Sequence, residues 1–241
     1  MSDVVAGVYA GWLDAWLPGP LRSEPEARCD ACPRCASPRP SEVPFTLDTK
    51  CCGYQPKLPN YLVGGVLRDG GEGAATLRER IEARVMVTPL SVGVPPAYAA
   101  QWSHVERTTG FGSDPNLVCP HFHEGRCRIW AHRDAVCSTW FCRFDRGEAG
   151  HAFWLALRAL LQTLETDLSR WAAAELGLDP SARPMGWGDY LGDPEAFYVA
   201  AAEQVGALSA ADVRRVGGFG LRVRIREARA AFRLREGLAS T

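Results

Sequence analysis

Residues 148–176 read EAGHAFWLALRALLQTLETDLSRWAAAEL, the longest regular stretch of the chain. Within it Phe153, Leu157, Leu160, Leu161, Leu164, Leu168 and Trp171 recur at three- and four-residue steps. That period puts them on one stripe of an α-helix and leaves most charged residues on the other side. Gly177 follows, a residue suited to the left-handed backbone that closes many helices. Two further helices are expected, at about 194–206 and 220–236. Between them Ser209-Ala-Ala-Asp212 has the pattern of a capping box. Residues 148–241 therefore read as a helical C-terminal part.

The preceding segment is less regular. An apolar run over 1–17 stops at Leu17-Pro18-Gly19-Pro20 and reads as a short amphipathic helix ended by proline. A helix capped by Asn60 is expected to end at Gly70, Gly71 and Gly73. A second follows from Thr76 to Met86, with Leu77, Ile81 and Val85 on one face. Residues 88–118 read as loop with short strands, and a small β-hairpin is expected near 117–130. Residues 18–60 are rich in Pro, Arg and Ser, a composition that does not fold round an apolar core unaided. The expected fold is thus mainly α with an irregular cysteine-rich metal-binding lobe. Its two parts are a cysteine-cluster lobe at 1–147 and a helical part at 148–241 packing on it.

Bulk composition excludes several classes. The net charge is −1 and the pI about 6.5, so no global field points to nucleic acid or to an acidic membrane. No apolar run reaches the length of a membrane span. Met1-Ser-Asp-Val-Val-Ala-Gly7 lacks the basic start of a secretory signal, which makes a cytoplasmic, reducing location the expectation. In that setting clustered cysteines indicate metal rather than disulfides.

There are nine: Cys29, Cys32, Cys35, Cys51, Cys52, Cys119, Cys127, Cys137 and Cys142, all taken as candidate metal ligands. Cys29-Asp-Ala-Cys32-Pro-Arg-Cys35 has two C-x-x-C steps, each just long enough for the chain to double back and aim both sulfurs at one ion. Metal ligation would supply the stability that residues 18–60 lack. Cys51 and Cys52 are adjacent and, in extended chain, project to opposite sides. Gly125 suits a turn bringing Cys119 beside Cys127. His121 and His123, two apart, would share a face of a strand and are possible ligands if the metal is zinc.

The stretch from Asn116-Leu-Val-Cys119-Pro-His-Phe122 through Gly125-Arg-Cys127-Arg-Ile129-Trp130, His132-Arg133 and Val136-Cys137 to Trp140-Phe-Cys142 resembles the CxxCxxCC cysteine-cluster proteins. These are the YkgJ-like zinc- or iron-chelating proteins, with a pattern near C-P-[FY]-L…G-x-C-x-I-Y-x-x-R-P-x-x-C-R-x-[FY]-x-C. The resemblance covers about residues 29–145. It implies metal binding by the cysteines. This chain departs from the pattern where fifteen residues separate Cys35 from Cys51-Cys52. A related group, the flagellin lysine N-methylases, is linked to an iron–sulfur cluster. No glycine motif for S-adenosylmethionine occurs here, so that activity does not carry over.

Two functions follow as expectations. The all-cysteine donor set favours an iron–sulfur centre, [4Fe–4S], with a redox or radical role and an aromatic shell of Trp130, Trp140, Phe141 and Phe144. The alternative is a zinc-stabilised, non-enzymatic module binding a protein or nucleic-acid partner, or a metal chaperone. The arginines at 214, 215, 222, 224, 226, 229, 233 and 235 could serve such a partner. They read more simply as the solvated side of a helix whose Leu221, Ile225, Ala228 and Phe232 turn inward.

Overall fold

A computed structural model describes residues 4–24, 52–108, 114, 116–141, 144–179, 181–182 and 186–238. The described chain is mainly helical. In order it forms α1 (Gly7–Trp16), α2 (Asn60–Asp69), α3 (Gly71–Glu82), α4 (Pro96–Thr108), α5 (Ala135–Thr139), α6 (Gly147–Glu175), α7 (Pro194–Gly206), α8 (Ala210–Val216) and α9 (Gly218–Glu236). Short strands β1 (Leu58–Pro59), β2 (Val87–Thr88) and β3 (Ser91–Val92) make an antiparallel sheet in the order β1-β3-β2. Leu58 pairs with Val92, and Thr88 with Ser91. β4 (Phe122–His123) and β5 (Arg126–Cys127) form a separate hairpin.

The spine is α6, whose 29 residues span about 43 Å at 1.5 Å per residue. Phe153, Leu157, Leu160, Leu161, Leu164 and Leu168 on its stripe are all buried, and Trp171 packs at the margin. Each such side chain contributes about 1.5–3 kcal/mol of transfer free energy. The helix closes as the sequence predicts. Gly177 takes φ +80° and its N–H bonds the Ala174 carbonyl, while the Leu178 N–H reaches the Ala173 carbonyl, both at 2.9 Å.

Two apolar clusters share this spine. One joins α1 (Tyr9, Leu13, Trp16), α6 and α9 (Leu221, Ile225, Ala228, Phe232). The other joins α2, α3 and α7 around Val63, Leu77, Ile129, Ala173 and Phe197. Both take residues from either side of position 147, so the C-terminal helices pack on the preceding segment. The capping box at α8 is present: the Asp212 N–H donates to Ser209 Oγ at 3.2 Å, and the Ser209 N–H donates to Asp212 Oδ2 at 3.1 Å.

Several expectations need correction. Asn60 does not cap α2 from outside but opens it, after Pro59. Its buried amide instead donates to the carbonyls of Pro89 (3.0 Å) and Ser169 (2.9 Å), tying the sheet to α6. The next helix starts at Gly71 rather than Thr76 and stops at Glu82, because Gly70 and Gly71, with φ +75° and +72°, complete the reversal between α2 and α3. Residues 88–118, expected as loop, contain the helix α4. Its only buried side chain is Val105, so it carries no apolar stripe to announce it. Among the described residues no helix is long and apolar enough to cross a membrane.

Candidate metal centre

The second cysteine group is built on the β4–β5 hairpin and on α5. Glu124 and Gly125 turn the hairpin with φ +47° and +77°, a conformation glycine adopts without strain. Phe122 thereby pairs with Cys127, and the Arg128 N–H donates to the His121 carbonyl at 2.8 Å. Cys119 lies just before the hairpin, and its N–H donates to the Cys52 carbonyl at 2.7 Å. The end of the first cysteine group is thus hydrogen-bonded to the start of the second. Cys137 sits in the first turn of α5, where its N–H is capped by Asp134 Oδ1 at 2.8 Å.

The thiols sense one another. Burial foremost raises the Cys119 thiol to about 12; Cys127 and Asp134 add to this, while the His121 N–H and the Arg80 guanidinium oppose it. Cys137 is also pushed well up, first by burial, then by Asp134, Cys119 and Cys127. Tyr98 is close enough to Cys52 and Cys119 to be raised by both, after its own burial. No disulfide joins Cys52, Cys119, Cys127 and Cys137. Cys29, Cys32, Cys35, Cys51 and Cys142 lie outside the described residues. Among the described residues no three His, Cys, Asp or Glu side chains come together closely enough to hold a metal ion.

The donor chemistry nevertheless fits a soft metal. Thiols whose pKa values are raised, as those of Cys119 and Cys137 are, become favourable as thiolates when a cation takes the place of their protons. His121 adds a second sign. It is 1% exposed, and neither ring nitrogen has a hydrogen-bond partner among the described residues. Burial first, then Arg80, lowers its pKa to about 4, so the ring is neutral and able to ligate. His123 does not share that face: its side chain is 63% exposed, beside Glu124. The two histidines diverge because His121 precedes the strand rather than lying in it.

The expected aromatic shell is not one. Trp130 and Trp140 are 40% and 42% exposed and lie against Arg133 and Arg158. Phe141 and Phe144 pack towards α6, Phe141 against Trp154 at 4.3 Å between centroids. On α9 Leu221, Ile225, Ala228 and Phe232 turn inward as read from sequence, but Arg235, read as solvated, is buried with them because it pairs with Glu24 at 3.2 Å. Arg222, Arg226 and Arg229 of α9 and Arg214 of α8 are exposed and line a groove with Phe219 and Ile225.

A polar network that no sequence motif marks lies behind Cys137. Glu165, on the α6 stripe four residues after Leu161, accepts the Ala135 N–H at 2.5 Å and the Tyr9 hydroxyl at 3.2 Å. Tyr9 and Tyr61 share a hydroxyl contact of 2.9 Å. Burial and then Asp134 hold the Glu165 carboxyl well above its ordinary value of 4.5, and Asp134 is itself raised by burial. A carboxylate on an apolar stripe was the available signal. Arg133 completes the wall, donating to the Val4 and Trp130 carbonyls at 3.1 Å each.

This network predicts a pH dependence. A carboxyl held neutral in the fold stabilises fully below its unfolded value of about 4.5 and progressively less as pH rises towards its folded value. Urea unfolding of wild type should therefore weaken upward from about pH 5 relative to Glu165→Gln, which keeps the neutral shape. Parallel curves for the two proteins would show that Glu165 is already ionised in the fold.

Comparison of the chain with protein-family models, with curated proteins and with solved structures finds no match in any of the three. The likeness to cysteine-cluster proteins rests on the residues quoted from the sequence.

Proposed function

We propose that the chain binds metal through its two cysteine groups, as an iron–sulfur protein with a [4Fe–4S] cluster and a redox or radical role. The observation that supports this reading is the 2.7 Å bond from the Cys119 N–H to the Cys52 carbonyl, which puts one cysteine of the first group next to one of the second. Cys119, Cys127, Cys137 and Cys142 form the better-defined donor set, with Cys29, Cys32, Cys35, Cys51 and Cys52 contributing the rest. Bound there, the cluster supplies one-electron chemistry. The protein's share is to offer thiolates from a water-poor wall and to fix Cys137 through the α5 cap. Zinc is the second reading, favoured by the buried imidazole of His121, a common zinc donor.

Purification without oxygen, followed by absorption spectroscopy and metal and sulfide analysis, tests the proposal. Brown protein with iron and sulfide supports it; colourless protein with stoichiometric zinc overturns the iron assignment. Replacement of Cys32 or Cys137 by serine should remove metal. Full occupancy in both variants would refute the donor set.

A further inference from the structure

We propose that the groove between α8 and α9 docks an acidic segment of a partner protein, one that carries an apolar side chain between carboxylates. The proposal does not rest on the metal-binding reading. The fold sorts the arginines of these two helices. Arg235 is buried with Glu24, Arg215 pairs with Asp212, and Arg224 donates to Glu227 at 2.8 Å. Arg214, Arg222, Arg226 and Arg229 are exposed and have no carboxylate partner among the described residues. These same four surround a groove of about 350 Å3, together with Phe219 and Ile225.

The packing holds this charge in one place. On α9 Arg222, Arg226 and Arg229 follow one another by four and three residues, so they stand on one face over about 10 Å. Arg214 comes from α8, which is fixed against α9 by Val213 and Leu221, both fully buried in the first apolar cluster. Like charges at such spacings repel. Carboxylates entering the groove relieve that repulsion, and each can pair bidentately with a guanidinium. The surface between the arginines is apolar. Ile225, 6% exposed, forms the floor, whereas the Phe219 ring is 71% exposed at the rim. An apolar side chain of the partner covers both.

The surroundings favour a short acidic peptide over other anions. The chain as a whole carries a net charge of −1, while nucleic acid is held by phosphate contacts along an extended basic surface. A helix lying on an anionic membrane buries its apolar face there, and α9 has already turned Leu221, Ala228 and Phe232 inward. Two copies of this chain meeting by this face would set arginine against arginine. A peptide laid in a groove needs only the local patch.

The test uses the full chain and a fluorescent synthetic peptide of aspartates and glutamates round one central leucine. Fluorescence anisotropy should show saturable binding that weakens as salt is raised. Arg222→Gln with Arg226→Gln should weaken it about 10-fold, whereas Arg224→Gln, outside the groove, should leave it unchanged. Phe219→Ser should weaken the leucine peptide more than a counterpart with serine at its centre. Circular dichroism checks that each variant keeps the wild-type fold. No binding at about 1 mM peptide, or an equal loss in Arg224→Gln, overturns the proposal. Tighter binding of single-stranded DNA or of phosphatidylserine vesicles, abolished by the same double variant, also overturns it and assigns the groove to phosphate.

Discussion

Replacing Gly64 by alanine should destabilise the chain by about 3 kcal/mol or more, the upper range for forcing volume into a packed core. A Cβ at this position would stand 1.8 Å from the Tyr198 carbonyl oxygen, 2.5 Å from its carbon and 2.8 Å from the Ala202 Cβ. Two of those atoms are backbone and cannot rotate aside, so α2 and α7 would have to separate. Separation opens the second apolar cluster, where Phe197 and Tyr198 are buried, and strains the 2.7 Å bond from the Tyr198 hydroxyl to the Thr88 carbonyl. Gly11→Ala is the control. Gly11 lies exposed within α1 with nothing within 4 Å of its added Cβ, so alanine should be neutral or stabilise by up to about 1 kcal/mol. Urea midpoints followed by circular dichroism decide the matter. Equal midpoints for Gly64→Ala and wild type would mean that α2 and α7 do not meet at this register.

The second large effect is expected at Glu24. Its carboxylate is 1% exposed and accepts from Arg235 Nη2 at 3.2 Å, from the Asp145 N–H at 2.7 Å and from the Trp154 indole N–H. The Arg235 side chain is 4% exposed and lies over Phe153 and Trp154 at 5.1 and 5.3 Å. Deleting one member of a buried ion pair leaves the other charge without compensation, at about 3–5 kcal/mol. Glu24→Ala should cost about 3 kcal/mol, the lower end of that range, since it strands two N–H donors and leaves the buried Arg235 only Glu236, at 3.6 Å, as a carboxylate partner among the described residues. Arg235→Met with Glu24→Gln keeps the acceptor and removes both charges, so the double variant should recover most of it. A double variant as unstable as Glu24→Ala would place the cost in lost packing rather than in stranded charge.

The sequence was most legible where local rules and tertiary demands agree. The α6 stripe, the Gly177 closure, the Ser209–Asp212 box and the Gly125 turn each have a local cause that the fold retains. Legibility failed where the signal is not periodic. Helix α4 buries one side chain, so its residues look like loop. Asn60 looked like a cap because its local chemistry suits one, yet tertiary acceptors at Pro89 and Ser169 claim its amide. The two-residue spacing of His121 and His123 puts them on a common face only within one strand, and β4 begins at Phe122. Trp130 and Trp140 neighbour the cysteines in sequence, but nearness in sequence does not fix which way a side chain faces, and both are exposed. Of the candidate ligands, Cys52, Cys119, Cys127 and Cys137 fall in described chain, and the five others do not.

The carboxylate of Glu24 has one more consequence, because of where it stands along the chain. It is anchored in the core immediately before residues 25–51, and Cys52, bonded to Cys119, is anchored immediately after them. The contact between Cys52 and Cys119 is therefore made within one chain, as would be any approach of Cys29, Cys32, Cys35 or Cys51 of that chain to Cys119. Tethering of this kind sets a local concentration near the millimolar range, whatever the concentration of protein. Assembly of a centre from both cysteine groups should accordingly be first-order in protein and insensitive to dilution.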